Sequence, residues 1–74
     1  MNSLEYMKKI VRRGNVSAVP WYKDTKTLIV TENKKDGETW VPIKYAAFVD
    51  DELIYSGCNK SKAFKAVGAD PAER

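Results

Sequence analysis

Histidine is absent from the 74 residues of this chain, and Cys58 is its only cysteine. No internal disulfide can form, and a zinc site of the Cys/His kind has almost no ligands to draw on. The Ser–His and Cys–His arrangements of nucleophilic catalysis are closed as well. No apolar run approaches the roughly 18 residues of a membrane-spanning helix. The N-terminus shows neither the apolar stretch nor the small-residue cleavage site of a secretory signal. A short chain of this kind, without disulfide staples, reads as cytoplasmic. The resulting expectations are negative ones: not an enzyme, no metal, no cofactor, no small-molecule substrate and no membrane.

What is present is ordinary in amount and uneven in placement. Hydrophobic residues make up 43% and charged residues 31%, the balance of a folded domain. A chain this short buries only about 60% of the surface it exposes unfolded. That leaves room for one domain, residues 1–74, built from one sheet and a helix or two. The net charge is +3. Residues 1–35 hold eight Lys/Arg against three Asp/Glu, whereas residues 36–74 hold five against seven. A cationic front and a mildly anionic rear suggest adhesion to something acidic, either a protein surface or nucleic acid.

Spacing supplies an α+β fold. At about 100° per residue, Leu4, Tyr6, Met7, Ile10 and Val11 segregate from Glu5, Lys8, Lys9, Arg12 and Arg13. This predicts a basic amphipathic helix within 1–15, capped by Asn2 with Glu5 and stopped by Gly14-Asn15. Residues 16–57 read as an antiparallel meander of three strands, or four if "VSAVPWY" joins as an edge. Pro20 permits only an edge there. Asp36-Gly37 signals a hairpin, with Val30 opposite Ile43 and Leu28 opposite Tyr45. In "TWVPIKYAAFV" the odd positions Val41, Ile43, Tyr45, Ala47 and Val49 mark the core side, and Pro42 implies a bulge. Asp50-Asp51-Glu52 forms a second tight turn into "LIYSG". Asn59 caps a last helix within 58–68, which lays Ala63, Phe64 and Val67 on the sheet and stops at Gly68. Residues 69–74 read as a frayed tail. Trp40, Ala46 and Phe48 are too apolar for a solvated face, so the second side of the sheet needs a cover, either the first helix with the Pro20-Trp21-Tyr22 segment or a partner.

The candidate partner-binding residues are Met7, Lys8, Lys9, Arg12, Arg13, Tyr22 and Lys23. In this set the cations steer, and Met7 and Tyr22 anchor. A nucleic-acid alternative uses Trp40, Lys44, Lys34 and Lys35, with the indole stacking on bases. Trp40 and Trp21 are also large enough to be core, and Tyr22 is the aromatic most expected at the surface. Cys58 reads as a small packed side chain. The carboxylates of Asp50, Asp51 and Glu52 repel phosphates, which favours a protein partner.

The run "TWVPIKYAAFVDDELIYSGCNKSKAFKAVG" resembles the three-stranded-sheet DNA-binding domains of tyrosine recombinase N-termini and plant ethylene-response factors. That resemblance implies a sheet packed on a helix and inserted into the major groove. In size and layout the chain is also similar to the small phage-encoded regulators that bind host RNA polymerase, of the antitermination and initiation-inhibitor type. This second likeness implies a protein–protein contact at the polymerase surface.

Overall fold

The computed structural model of the chain describes residues 3–69. Its elements are α1 (Ser3–Val11), β1 (Val16–Tyr22), β2 (Thr27–Asp36), β3 (Thr39–Val49), β4 (Glu52–Gly57) and α2 (Lys60–Ala66). The four strands form one antiparallel sheet in the order β1-β2-β3-β4, so 16–22 does join as the edge that Pro20 requires. Among the described residues, no helix is long and apolar enough to cross a membrane.

The two helices lie on opposite faces of the sheet, which answers what covers its second side. On one face α2 places Ala63, Phe64 and Val67 over Ile29, Tyr45 and Ala47. On the other, Ile10 of α1 seals Leu28, Val30, Ala46 and Phe48, with Tyr6 and Met7 packed alongside. The alternation of β2 explains the need for both. Leu28 and Val30 point one way and Ile29 the other, and all three are buried, so this strand has no wet side from Thr27 to Glu32.

The hairpin register differs from the sequence expectation. Asp36 pairs with Thr39, Val30 with Ala46 and Leu28 with Phe48. The loop is therefore Gly37-Glu38, with Gly37 at φ +64° and Thr39 Oγ1 donating to the Asp36 carbonyl at 3.0 Å. A glycine of positive φ in the first central position is the type II′ choice. The expected bulge does occur beside Pro42, where Ile43 is left over between the Asn33–Pro42 and Glu32–Lys44 pairs. The extra residue changes which side chains lie inside. Tyr45, Ala46, Ala47 and Phe48 are buried, whereas Val41 and Ile43, expected in the core, are exposed.

Each turn has its own device. Asp50 and Asp51 both adopt positive φ, 51° and 63°, the type I′ geometry that Asp tolerates better than most residues. The α2 terminus is a Schellman motif. Gly68 N–H donates to the Lys65 carbonyl and Ala69 N–H to that of Phe64, at 3.0 and 2.8 Å. Ala69 is consequently buried and belongs to the core, whereas the rest of the expected tail, residues 70–74, lies outside the described residues. The expected Asn59 cap is in place, its side chain accepting from Lys62 N–H at 3.0 Å. Asn2, the expected cap of the first helix, lies outside the described residues. The side chain at that helix start belongs to Asp51, whose Oδ1 accepts from the Ser3 hydroxyl at 3.1 Å and from the Ser3 N–H at 3.5 Å.

Candidate interaction surface

Three of the expected partner-binding residues are used internally or lie apart from the rest. Met7 packs against the α1-side core and offers little to a partner. Lys23 Nζ donates to the Val67 carbonyl at 2.9 Å, closing the C-terminal end of α2 where a cation complements the macrodipole. Tyr22 is exposed, as expected. However, it lines a depression with Ser3, Thr25, Lys26, Leu28, Asp50 and Asp51, at the N-terminal end of α1. The cations of that helix sit toward its other end.

Arg13 is not a free cation either. Its guanidinium donates to Glu32 Oε2 at 3.5 Å, and the Glu32 side chain is only 6% exposed. A carboxylate inside the sheet was the residue that sequence reasoning overlooked. The available signal was its even position in β2, on the side where α1 lies. Tyr6 sits in the same neighbourhood, edge-on to Phe48 with ring centroids 5.4 Å apart. Burial raises its phenol pKa above the ordinary value, the Glu32 charge raises it further and the Arg13 charge partly offsets both.

The remaining cations converge from two distant segments. The α1 turn carbonyl of Asn15 accepts from Lys35 N–H at 3.0 Å, so the cationic end of the helix abuts the base of the β2–β3 hairpin. Beyond that base the hairpin becomes an arm. β1 pairs with β2 only as far as Lys34, and β4 pairs with β3 only as far as Tyr45. The arm carries Trp40, Val41 and Ile43, which are 48%, 42% and 40% exposed. Trp40 pairs with Lys35 and Val41 with Lys34. Val41, Ile43, Lys34, Lys35 and Asp36 line one shallow concavity. Lys44, half-buried, lies across from Glu32 and lines a groove with Lys9 and Arg13.

The two residue sets proposed from sequence as alternatives thus touch at one point: Lys9 and Arg13 of one share a groove with Lys44 of the other. Lys34, Lys35 and Trp40 stand further out, on the arm whose base the chain after α1 meets. Lys8 lies on the outer arc of α1, in a shallow groove with Glu5, Lys9 and Arg12. Trp40 is at the surface, not in the core, while Trp21 is half-buried against Phe64 at 5.0 Å between centroids. Leu4 and Val11, expected beneath α1, are exposed on its flank. Cys58 is exposed too, and not packed.

Carboxylates gather at the opposite end of the sheet, around the β3–β4 turn. Asp50 and Asp51 form that turn, and Lys26 approaches Asp50 to 3.9 Å. In the β1–β2 connection, Asp24 Oδ1 accepts from the Lys26 and Thr27 N–H groups, both at 2.9 Å. Those backbone bonds lower its pKa. Among the described residues, no three metal-ligating side chains come together. No family model, curated protein or solved structure matches this chain.

Proposed function

We propose that this chain is a non-enzymatic binding protein that docks the cationic end of α1 and the β2–β3 arm onto an acidic or mixed protein surface. The observation that carries the reading is the groove that Lys9, Arg13 and Lys44 share, next to an arm on which Trp40, Val41 and Ile43 stay exposed beside Lys34 and Lys35. Apolar anchors ringed by charge are the anatomy of a protein interface. The cations steer the encounter and the indole holds it. Asp36 and Glu38 at the arm tip suit a mixed surface better than a phosphate backbone, which would repel them.

The partner to test first is bacterial RNA polymerase, in keeping with a cytoplasmic regulator of phage type that alters initiation or termination. Purified polymerase should retain the wild-type chain, and a Trp40→Ala/Lys34→Glu variant should bind at least about tenfold more weakly. Equal retention of the two proteins refutes the reading. A second reading, nucleic-acid binding, is favoured by one feature, a two-stranded ribbon with lysines of the size a major groove admits. The sheet face that the recombinase-type domains insert is occupied here by α1, so the arm is what DNA would meet. Duplex binding that falls log-linearly with salt, without any polymerase binding, would select that alternative.

A further inference from the structure

Beside the arm, on the α1 face, the sheet is incompletely roofed. Ile10 covers β2 and the middle of β3, but α1 does not extend over β4. The result is a groove of about 350 Å³ lined by Tyr6, Lys9, Ile10, Arg13, Lys44, Leu53 and Ser56. This lies at the small end of the roughly 300–1,000 Å³ of ligand pockets, a size for one or two inserted side chains. Its chemistry is one-sided. Three of the lining residues are cations and none is a carboxylate. Glu32, which faces Lys44 across the β2–β3 pair, is 5% exposed and bridged to Arg13. The apolar part of the lining is Tyr6, Ile10 and Leu53, and Leu53 remains 44% exposed.

We infer that this groove seats an acidic peptide segment bearing one apolar side chain, contributed by the partner protein. The inference rests on the reading that this side of the molecule meets an acidic protein, and it names the part of that protein that enters. The apolar side chain lies against Leu53 and the half-buried Tyr6 ring, excluding water from both. Flanking aspartates or glutamates accept from Lys9, Lys44 and the outer edge of Arg13, whose side chain is 56% exposed. Charge complementarity selects the occupant. A basic or neutral segment leaves Lys9 and Lys44 uncompensated, and a sugar–phosphate backbone offers nothing to the apolar lining.

The test uses the intact chain and a short synthetic peptide in which one leucine is flanked by aspartates, followed by amide chemical shifts. Saturable shifts should appear at Lys9, Arg13, Lys44, Leu53 and Ser56. Lys44→Glu and Leu53→Asp should each weaken the peptide about tenfold, while Lys65→Glu on α2 should leave it unchanged. Leu53 is exposed enough that its variant stays folded. Three results would overturn the proposal: shifts spread over the α2 lysines, equal binding of a leucine-to-serine peptide, or displacement by an oligonucleotide at matched charge. Trp40→Ala keeps this experiment separate from the docking reading. It should spare the peptide and cost polymerase binding, so failure of the groove and failure of the arm show up in different measurements.

Discussion

The two faces of the sheet share strands and differ in how completely they are closed. Under α2, Phe64 is 1% exposed and stacks near Trp21, and the chain after the helix folds back so that Ala69 is buried as well. Under α1, Ile10 is equally buried, but Leu4 and Val11 look outward and the groove beside β4 stays open. The helix sequences explain the contrast. α2 needs only Ala63, Phe64 and Val67 to reach the sheet, and its stop is a glycine placed to bring one more apolar residue down. α1 makes contact through Ser3, Tyr6, Met7 and Ile10, a narrow i, i+3, i+4, i+7 stripe. The wider apolar arc seen in its sequence is larger than the surface available to it. The closed face provides stability, and the half-open face is where Lys9 and Lys44 stand beside an accessible Leu53.

Truncating the anchor of each helix tests that contrast with the largest effects. Phe64→Ala should cost about 3–5 kcal/mol, because a large ring leaves a cavity in a sealed layer. Ile10→Ala should cost about 2–3 kcal/mol, nearer the low end for buried aliphatics, since α1 can settle into the space. Urea unfolding of both variants measures the difference. Equal costs would mean that α1 is as firmly seated as α2, and the distinction between the faces would fail.

Arg13 sharpens the comparison at intermediate scale. It belongs to the cationic surface and also neutralises Glu32 within the sheet. Removing one partner of a buried pair is destabilising because a charge is left without compensation. The guanidinium is mostly exposed, so water recovers part of the loss. Arg13→Ala should therefore cost about 1–2 kcal/mol, whereas Arg12→Ala should stay within about 0.5 kcal/mol. Binding experiments on the cationic end are better made with Arg12 and Lys34 than with Arg13, whose loss mixes folding with recognition.

The α1 start provides a smaller test. Asp51→Gly and Asp50→Gly both relieve a positive φ, but only the first removes the carboxylate that meets Ser3. The difference between them in unfolding free energy should be about 1 kcal/mol, the size of a helix cap. The Lys26–Asp50 pair adds little to the balance, being exposed and 3.9 Å apart.

Element identity was legible in the sequence, and long-range placement was not. The breakers Gly14, Gly37 and Gly68, the Asn59 cap and the Asp50-Asp51 turn each act within a few residues, so local chemistry reveals them. The hairpin register depends on which two residues form the loop and on one bulged residue, Ile43. An error there moves Val41 and Ile43 from the surface to the core and Phe48 the other way. Lys23 and Arg13 looked like free cations because their acceptors, the Val67 carbonyl and Glu32, are distant in sequence. The same distance hid the site. That Lys44 and Leu53 share a groove with Lys9 follows from α1 lying across the sheet, and no spacing within the helix encodes that.

Tyr6 offers the finest test of how α1 is seated. Its phenol is held above the ordinary value of 10.0 by burial first and by the Glu32 charge second. A group whose folded pKa is raised contributes stability that is complete below its unfolded pKa and is lost as pH climbs through the folded value. Wild-type stability should therefore fall more steeply than that of Tyr6→Phe as pH climbs above the ordinary phenol value of 10.0. The lysines deprotonate over the same range in both proteins, so their contribution cancels in the difference. A gap between the two that narrows with rising pH means that the phenol is desolvated beside Glu32 with α1 in place. A gap that stays flat means that Tyr6 ionises as freely folded as unfolded. In that case the helix is loosely held, and the roof over the second face is itself part of what a partner would displace.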